Sequence, residues 1–207
     1  MLFRSLLVSY LVAQFTDLLL RRSVVVRRFV TCVTLIVLRF YVGLLVLVQN
    51  VGLGAELSRA NMVFWLPNAP NLDTLDHSDV LSIEIQNGNH WRKIFTIAAK
   101  LAVAPTCDWR RYKIESLFNE VRFVFDRMDF EKSQAKFKFV VGKQLTELLP
   151  VPDGVDCIYE AGKDDFEDAS KRRVLVNDGV LWTPYFDYRQ FPNALIDAVR
   201  TYMQRRA

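Results

Sequence analysis

The sequence predicts an α+β fold class carried on a membrane anchor: an N-terminal transmembrane helix, preceded by a short interfacial or partly inserted helix and followed by a small mixed α/β soluble domain. Three observations lead there. Phe29 to Val48 is apolar on every side and holds one charge, Arg39. The charges divide unevenly, with six arginines against Asp17 in residues 1–53, a net of +5, and a net of −1 over residues 54–207. Beyond Ala55, strand-like alternation and helix-like periodicity follow one another, separated by Pro, Gly, Asn and Asp.

The expected segments are 1–20, an apolar interfacial or partly inserted helix; 21–55, a basic flank and the transmembrane helix; 56–79, a linker; and 80–207, the α+β domain. Within 1–20, Arg4, Gln14 and Asp17 interrupt the apolar run, which is short for a full crossing. Ser5, Ser9, Ala13 and Thr16 fall on one side of it, a small-residue face of the kind that lets membrane helices pack closely. Twenty residues at about 1.5 Å each cover roughly the 30 Å of hydrocarbon. Arg21, Arg22, Arg27 and Arg28 are expected at the headgroups, on the matrix or cytoplasmic side, holding anionic phospholipid such as cardiolipin. Arg39 lies eleven residues past Arg28, about 16 Å down the helix and near the bilayer middle. An arginine there costs about 2.5–3.5 kcal/mol. It is offset either by snorkelling or by a carboxylate, carbonyl or lipid phosphate on a neighbouring chain.

The domain's elements are expected in order. N-M-V-F-W-L-P-N-A-P-N-L-D-T-L-D-H-S-D, Asn61 to Asp79, reads as an irregular linker, with Phe64 and Trp65 either at headgroup level or in the core. Val80 to Ile85 alternates and stops at Asn87-Gly88, as a strand and turn would. Trp91 to Ala104 reads as a helix closed by Pro105. Asp108 caps a further helix whose stripe is Ile114, Leu117, Phe118, Val121, Val124, Phe125 and Met128. Lys136 to Val140 alternates like an exposed strand, its lysines protecting an edge. Val174–Val176 and Val180–Trp182 flank Asn177-Asp178-Gly179, a hairpin signature. Pro192 opens a last helix with Leu195, Ile196, Val199, Tyr202 and Met203 on one face. No internal repeat is present.

The chemistry-bearing residues form no recognised catalytic motif. Cys32, Cys107 and Cys157 lack metal-site spacing, and Cys107 and Cys157 are expected as buried free thiols, with a disulfide between them in an oxidising compartment as the alternative. D-T-L-D-H-S-D, with His77 among Asp73, Asp76 and Asp79, lacks the glycine and glutamate of a calcium loop and reads as a solvated linker. His90 is expected as a helix-start residue, with a Cys107–His90 dyad as the reactive alternative. Asp164, Asp165, Glu167 and Asp168, followed by Lys171, Arg172 and Arg173, form a charged loop. Lys132, Lys136, Lys138 and Lys143 form a basic strip. No cofactor or metal is expected. Since the basic pI of about 9.0 belongs to the N-terminal quarter, nucleic acid is not an expected partner.

These features point to a non-catalytic accessory subunit of a large membrane complex, its partners being other subunits and lipid. The arginine-rich, lysine-free, acid-poor N-terminus points to the mitochondrial inner membrane, with the domain in the intermembrane space and the complex a respiratory one or the ATP synthase. The alternatives are a membrane-anchored enzyme using Cys107 or Cys157, and a single-pass adaptor or translocation component.

Overall fold

The computed structural model describes residues 52–72, 79–160 and 173–206, all within the unit Asn50–Ala207. The two expected membrane helices lie outside the described residues. With them go Ser5, Ser9, Ala13, Thr16, Arg21, Arg22, Arg27, Arg28, Arg39 and Cys32, and also Asp73, Asp76, His77 and the acidic stretch 164–168. Among the described residues, no helix is long and apolar enough to cross a membrane.

The described strands are β1 (Leu53–Gly54), β2 (Met62–Trp65), β3 (Val121–Val124), β4 (Phe137–Val141), β5 (Asp156–Glu160), β6 (Arg173–Asn177) and β7 (Val180–Thr183). They form one sheet in the order β1-β3-β2-β4-β7-β6-β5. β3, β2, β4 and β7 run parallel, while β1, β6 and β5 add antiparallel edges. A mixed α/β domain is therefore present, and its centre is more regular than the expected α+β class. Helices interleave with the parallel strands and cover both faces, as a parallel sheet requires.

β2 occupies the stretch read as linker. Val63, Phe64 and Trp65 are 0 %, 0 % and 2 % exposed, so this strand is buried on both faces and shows no alternation. Four apolar residues between asparagines and prolines leave a signal too short to separate from a loop. Phe64 faces one core with Phe123, Phe139 and Leu181, whereas Val63 and Trp65 face the other with Val124, Val140 and Trp182.

The first core is covered chiefly by α1 (Val80–Asn87), α2 (Asn89–Ala102) and α7 (Asn193–Arg205). α1 replaces the strand expected at Val80–Ile85. Asp79 accepts hydrogen bonds from Leu81 N at 3.1 Å and Ser82 N at 3.2 Å, an N-cap that starts a helix. Gly88, at φ 71°, donates its N–H to Glu84 O and ends it. Val80 and Ile83 are buried at helical spacing, leaving Ile85 83 % exposed. α2 and α7 fall where periodicity places them, with Trp91, Ile94, Phe95, Ala98 and Leu101 on one and Leu195, Ile196, Val199 and Met203 on the other inside the core.

The long helix expected after Asp108 is divided. Asp108 does cap α3 (Trp109–Glu115), but Ser116 breaks it, a single turn α4 (Leu117–Glu120) follows, and the chain extends into β3. Val121, Phe123 and Val124 are β-branched or aromatic and suit a strand. The helical stripe therefore fails at both ends, where Ile114 and Met128 are 50 % and 59 % exposed. The second core is closed by α5 (Arg127–Lys132), through Phe130, and α6 (Lys143–Leu148), through Leu145.

β4 is a strand, as expected, but an inner one, paired with both β2 and β7. Its lysine does not guard an edge. Lys138 lays its stem along Phe130, Nζ 5.3 Å from the ring centroid, and donates to Ser133 O at 3.3 Å. The β6–β7 hairpin forms as predicted, with Asp178 and Gly179 at φ 44° and 78°, the two positive values of a type I′ turn. A Cβ on Gly179 would stand 2.6 Å from Lys136 O. Gly179→Ala is therefore expected to lower stability by about 1–2 kcal/mol from left-handed strain alone, with the clash adding to it. Urea unfolding followed by tryptophan emission measures it.

On the outermost strand, β5, the register shifts between Cys157 and Tyr159. β1 at the other edge is two residues long, and Gly54 there is needed: at φ 89°, any Cβ would lie 2.2 Å from Val121 O.

Candidate functional site

The order of the inner strands selects one end of the sheet. From β2 the chain passes to β3 on one side and then to β4 on the other, so its direction reverses between β2 and β4. Open α/β sheets seat ligands beyond the carboxyl ends of strands near such a reversal. The polar side chains found there come from the exit of β7 and the start of α2.

β4 ends at Gly142, at φ 95°, where a Cβ would meet the Tyr185 ring at 3.1 Å, so the missing side chain is what seats Tyr185. β7 runs out through Pro184 to Tyr185, and Phe186, 1 % exposed, pins the turn into the first core against Phe64 and Phe191. The Tyr185 hydroxyl lies 2.8 Å from His90 Nε2, and the two rings stack at 5.5 Å. Lys93, one turn along α2, donates to Asp187 Oδ2 at 2.5 Å and lies 5.8 Å from the centroid of the Tyr188 ring. Asp187 Oδ1 accepts from Arg189 N at 3.0 Å.

These partners set the protonation behaviour. Burial raises the Tyr185 phenol, and the nearby Asp187 charge adds to that. The hydrogen bond from Lys93, helped by the one from Arg189 N, holds the Asp187 carboxyl below its ordinary 3.8. A carboxyl lowered by folding stabilises the protein above its unfolded pKa, about 3.9, and ceases to do so as pH falls through the folded value. Asp187→Asn is therefore expected to melt below the wild type at neutral pH, with the gap closing below pH ~4. A series of thermal melts from pH 7 to pH 3 reads this directly.

Other expected sites fare differently. Cys107 and Cys157 are free thiols, but both are exposed rather than buried, because one lies in the loop after α2 and the other on the outermost strand. The Cys107–His90 dyad does not form: His90 is in the first turn of α2, a helix about 20 Å long, and Cys107 follows its far end. Asp79 of the acidic stretch is a helix cap, and Phe64 and Trp65 are core residues. Among the described residues, no group of three or more His, Cys, Asp and Glu is placed to hold a metal. Lys93, Tyr185 and Asp187 escaped sequence reasoning. The aromatic density of Y-F-D-Y-R-Q-F just after a hairpin was their one local sign.

Four parallel inner strands, helices on both faces and a His–Tyr, Lys–Asp cluster at the carboxyl end define a mixed α/β sheet domain with antiparallel edges. The chain belongs to a family of unknown function (DUF6942), whose model matches residues 51–204 and so takes in the whole sheet from β1 to the last turn of α7. No curated protein and no solved structure matches the chain.

Proposed function

We propose that this protein is a non-catalytic accessory subunit of a membrane complex, an α/β body tethered by the apolar segment before it. The observation that carries the reading is the division of the chain. A segment of net charge +5 with twenty nearly uncharged residues, 29–48, gives way within five residues to the first strand of a sheet. The arrangement of the candidate site supports it. His90 is tied to Tyr185 and Lys93 to Asp187, so the cluster works as a clamp joining α2 to the loop after β7. The mitochondrial inner membrane, with the domain in the intermembrane space, rests on the targeting-like N-terminus.

In this reading Arg39 meets an acceptor on a companion subunit, and Arg21, Arg22, Arg27 and Arg28 hold anionic lipid. The full chain, extracted in mild detergent, is expected to migrate on a native gel at the size of a complex. Arg39→Leu is expected to insert as well as the wild type but to deplete that band. Monomer-sized migration of the wild type, or an unchanged band in the variant, refutes the subunit role.

The position of the His90–Tyr185 pair beyond β4 and β7 favours a second reading, a domain that binds a small polar ligand. A ligand seated there would raise the melting temperature of the wild type and not that of Tyr185→Phe.

A further inference from the structure

At the amino ends of β2 and β4 the first core does not close. An open cleft of about 190 Å³ lies there, at the end of the sheet opposite the His90–Tyr185 pair. Met62 and Phe137, the first residues of those two strands, line it together with Ala102, the last residue of α2, and Met203 of α7. The helix ends on an alanine, whose methyl group leaves space that a larger side chain would take.

The polar side chains at the cleft are Arg200 and Gln204, four residues apart and so on one side of α7. Arg200 Nη1 donates to Lys100 O, in the last turn of α2. A carbonyl in that turn has no partner within its own helix, and here it fixes the guanidinium beside the cleft. Among the described residues no carboxylate pairs with Arg200. Lys100 itself is engaged elsewhere, its Nζ donating to Asn193 Oδ1 at 2.9 Å and lying 5.1 Å from the centroid of the Trp109 ring. One positive charge without a counter-charge therefore stands at an apolar opening. A guanidinium carries five N–H donors in a planar fork, and the bond to Lys100 O leaves an edge of it for an incoming anion.

We infer that this cleft binds a small aliphatic monocarboxylate of about five carbons, a size set by room for roughly six or seven non-hydrogen atoms at about 30 Å³ each. Its hydrocarbon chain lies among Met62, Phe137 and Met203, and its carboxylate sits on the free edge of Arg200, with the Gln204 amide as a second donor. Each part of the ligand follows from the lining. Thioether and aromatic groups accept hydrocarbon, the planar fork matches a carboxylate, and a single unpaired cation calls for a single negative charge. The site is independent of both readings above, because it uses neither the N-terminal segment nor the His90–Tyr185 cluster.

The test uses the full chain with its four methionines isotope-labelled at the ε-methyl group, titrated with sodium pentanoate, pentan-1-ol or pentylamine and followed by NMR. Met62 and Met203 lie in the cleft, and Met128, 59 % exposed on α5 over the second core, is the internal control. Single Met→Leu variants assign the signals. Pentanoate is expected to shift Met62 and Met203 saturably and to leave Met128 in place, with the alcohol and the amine at least tenfold weaker because neither can accept the guanidinium fork. Arg200→Gln is expected to weaken pentanoate about tenfold, the worth of a lost charge-assisted pair. Should that variant fail to fold, the preference of the wild type for pentanoate over pentan-1-ol decides alone. Equal binding of the acid and the alcohol, or undiminished affinity in Arg200→Gln, leaves Arg200 as a cap on α2 only and overturns the site. Absence of a saturable shift, or a parallel shift of Met128, overturns it as well.

Discussion

Phe64→Ala is expected to remove about 3–5 kcal/mol of stability, the range for truncating a buried phenylalanine. Phe64 is wholly buried in the middle strand of the parallel set, its ring 4.6 Å from that of Phe139, 5.6 Å from Phe123 and 5.4 Å from Phe186. Those partners belong to the two flanking strands and to the turn that seats Tyr185. Each is held by its own hydrogen-bonded element, so the space left behind closes poorly and the cavity cost is added to the lost transfer energy. A domain of ordinary stability has about 5–15 kcal/mol in all, so the variant should be partly unfolded at physiological temperature. Denaturant titration gives the value, with buried Trp65, Trp91 and Trp182 as the probes. Phe64→Leu should lose distinctly less, because most of the volume is kept.

Lys113→Ala is expected to cost about 3–5 kcal/mol, because it leaves the Glu84 carboxylate in a site from which water is largely excluded. The two side chains are 11 % and 10 % exposed and meet at 2.7 Å. Glu84→Ala should cost a similar amount for the mirror reason. The paired change Glu84→Leu with Lys113→Met should recover most of the loss and can exceed the wild type, since hydrophobic replacement of a buried ion pair is often neutral or stabilising. Denaturation of the four proteins completes the cycle. Single and double variants of equal stability would show that the pair is solvated and does not join α1 to α3.

Much of the domain was legible in the sequence wherever an element declares itself locally. The β6–β7 hairpin has its Asp-Gly turn, α2 and α7 have long one-sided stripes, and Asp108 caps the helix it was expected to cap. The failures share a cause. β2 and β3, and the inner place of β4, depend on pairing with residues far along the chain, which no local pattern encodes. β2 was hidden by its brevity, and β3 by valines that happened to continue a helical stripe. At Val80–Ile85 the alternation covered six residues, too few to outweigh the Asp79 cap. The candidate site was the least legible part. His90 and Tyr185 are 95 residues apart, and Lys93 and Asp187 are 94 apart, and only the fold brings them together.

Among the described residues, the two outermost strands of the sheet are both unfit for growth. On one side β1 offers two residues, one of them a glycine with no tolerance for a side chain. On the other, the slip between Cys157 and Tyr159 interrupts the ladder, and a strand arriving from another molecule would lose its match after two residues. Even at high local concentration, copies of this domain can accumulate without stitching their backbones into fibrils.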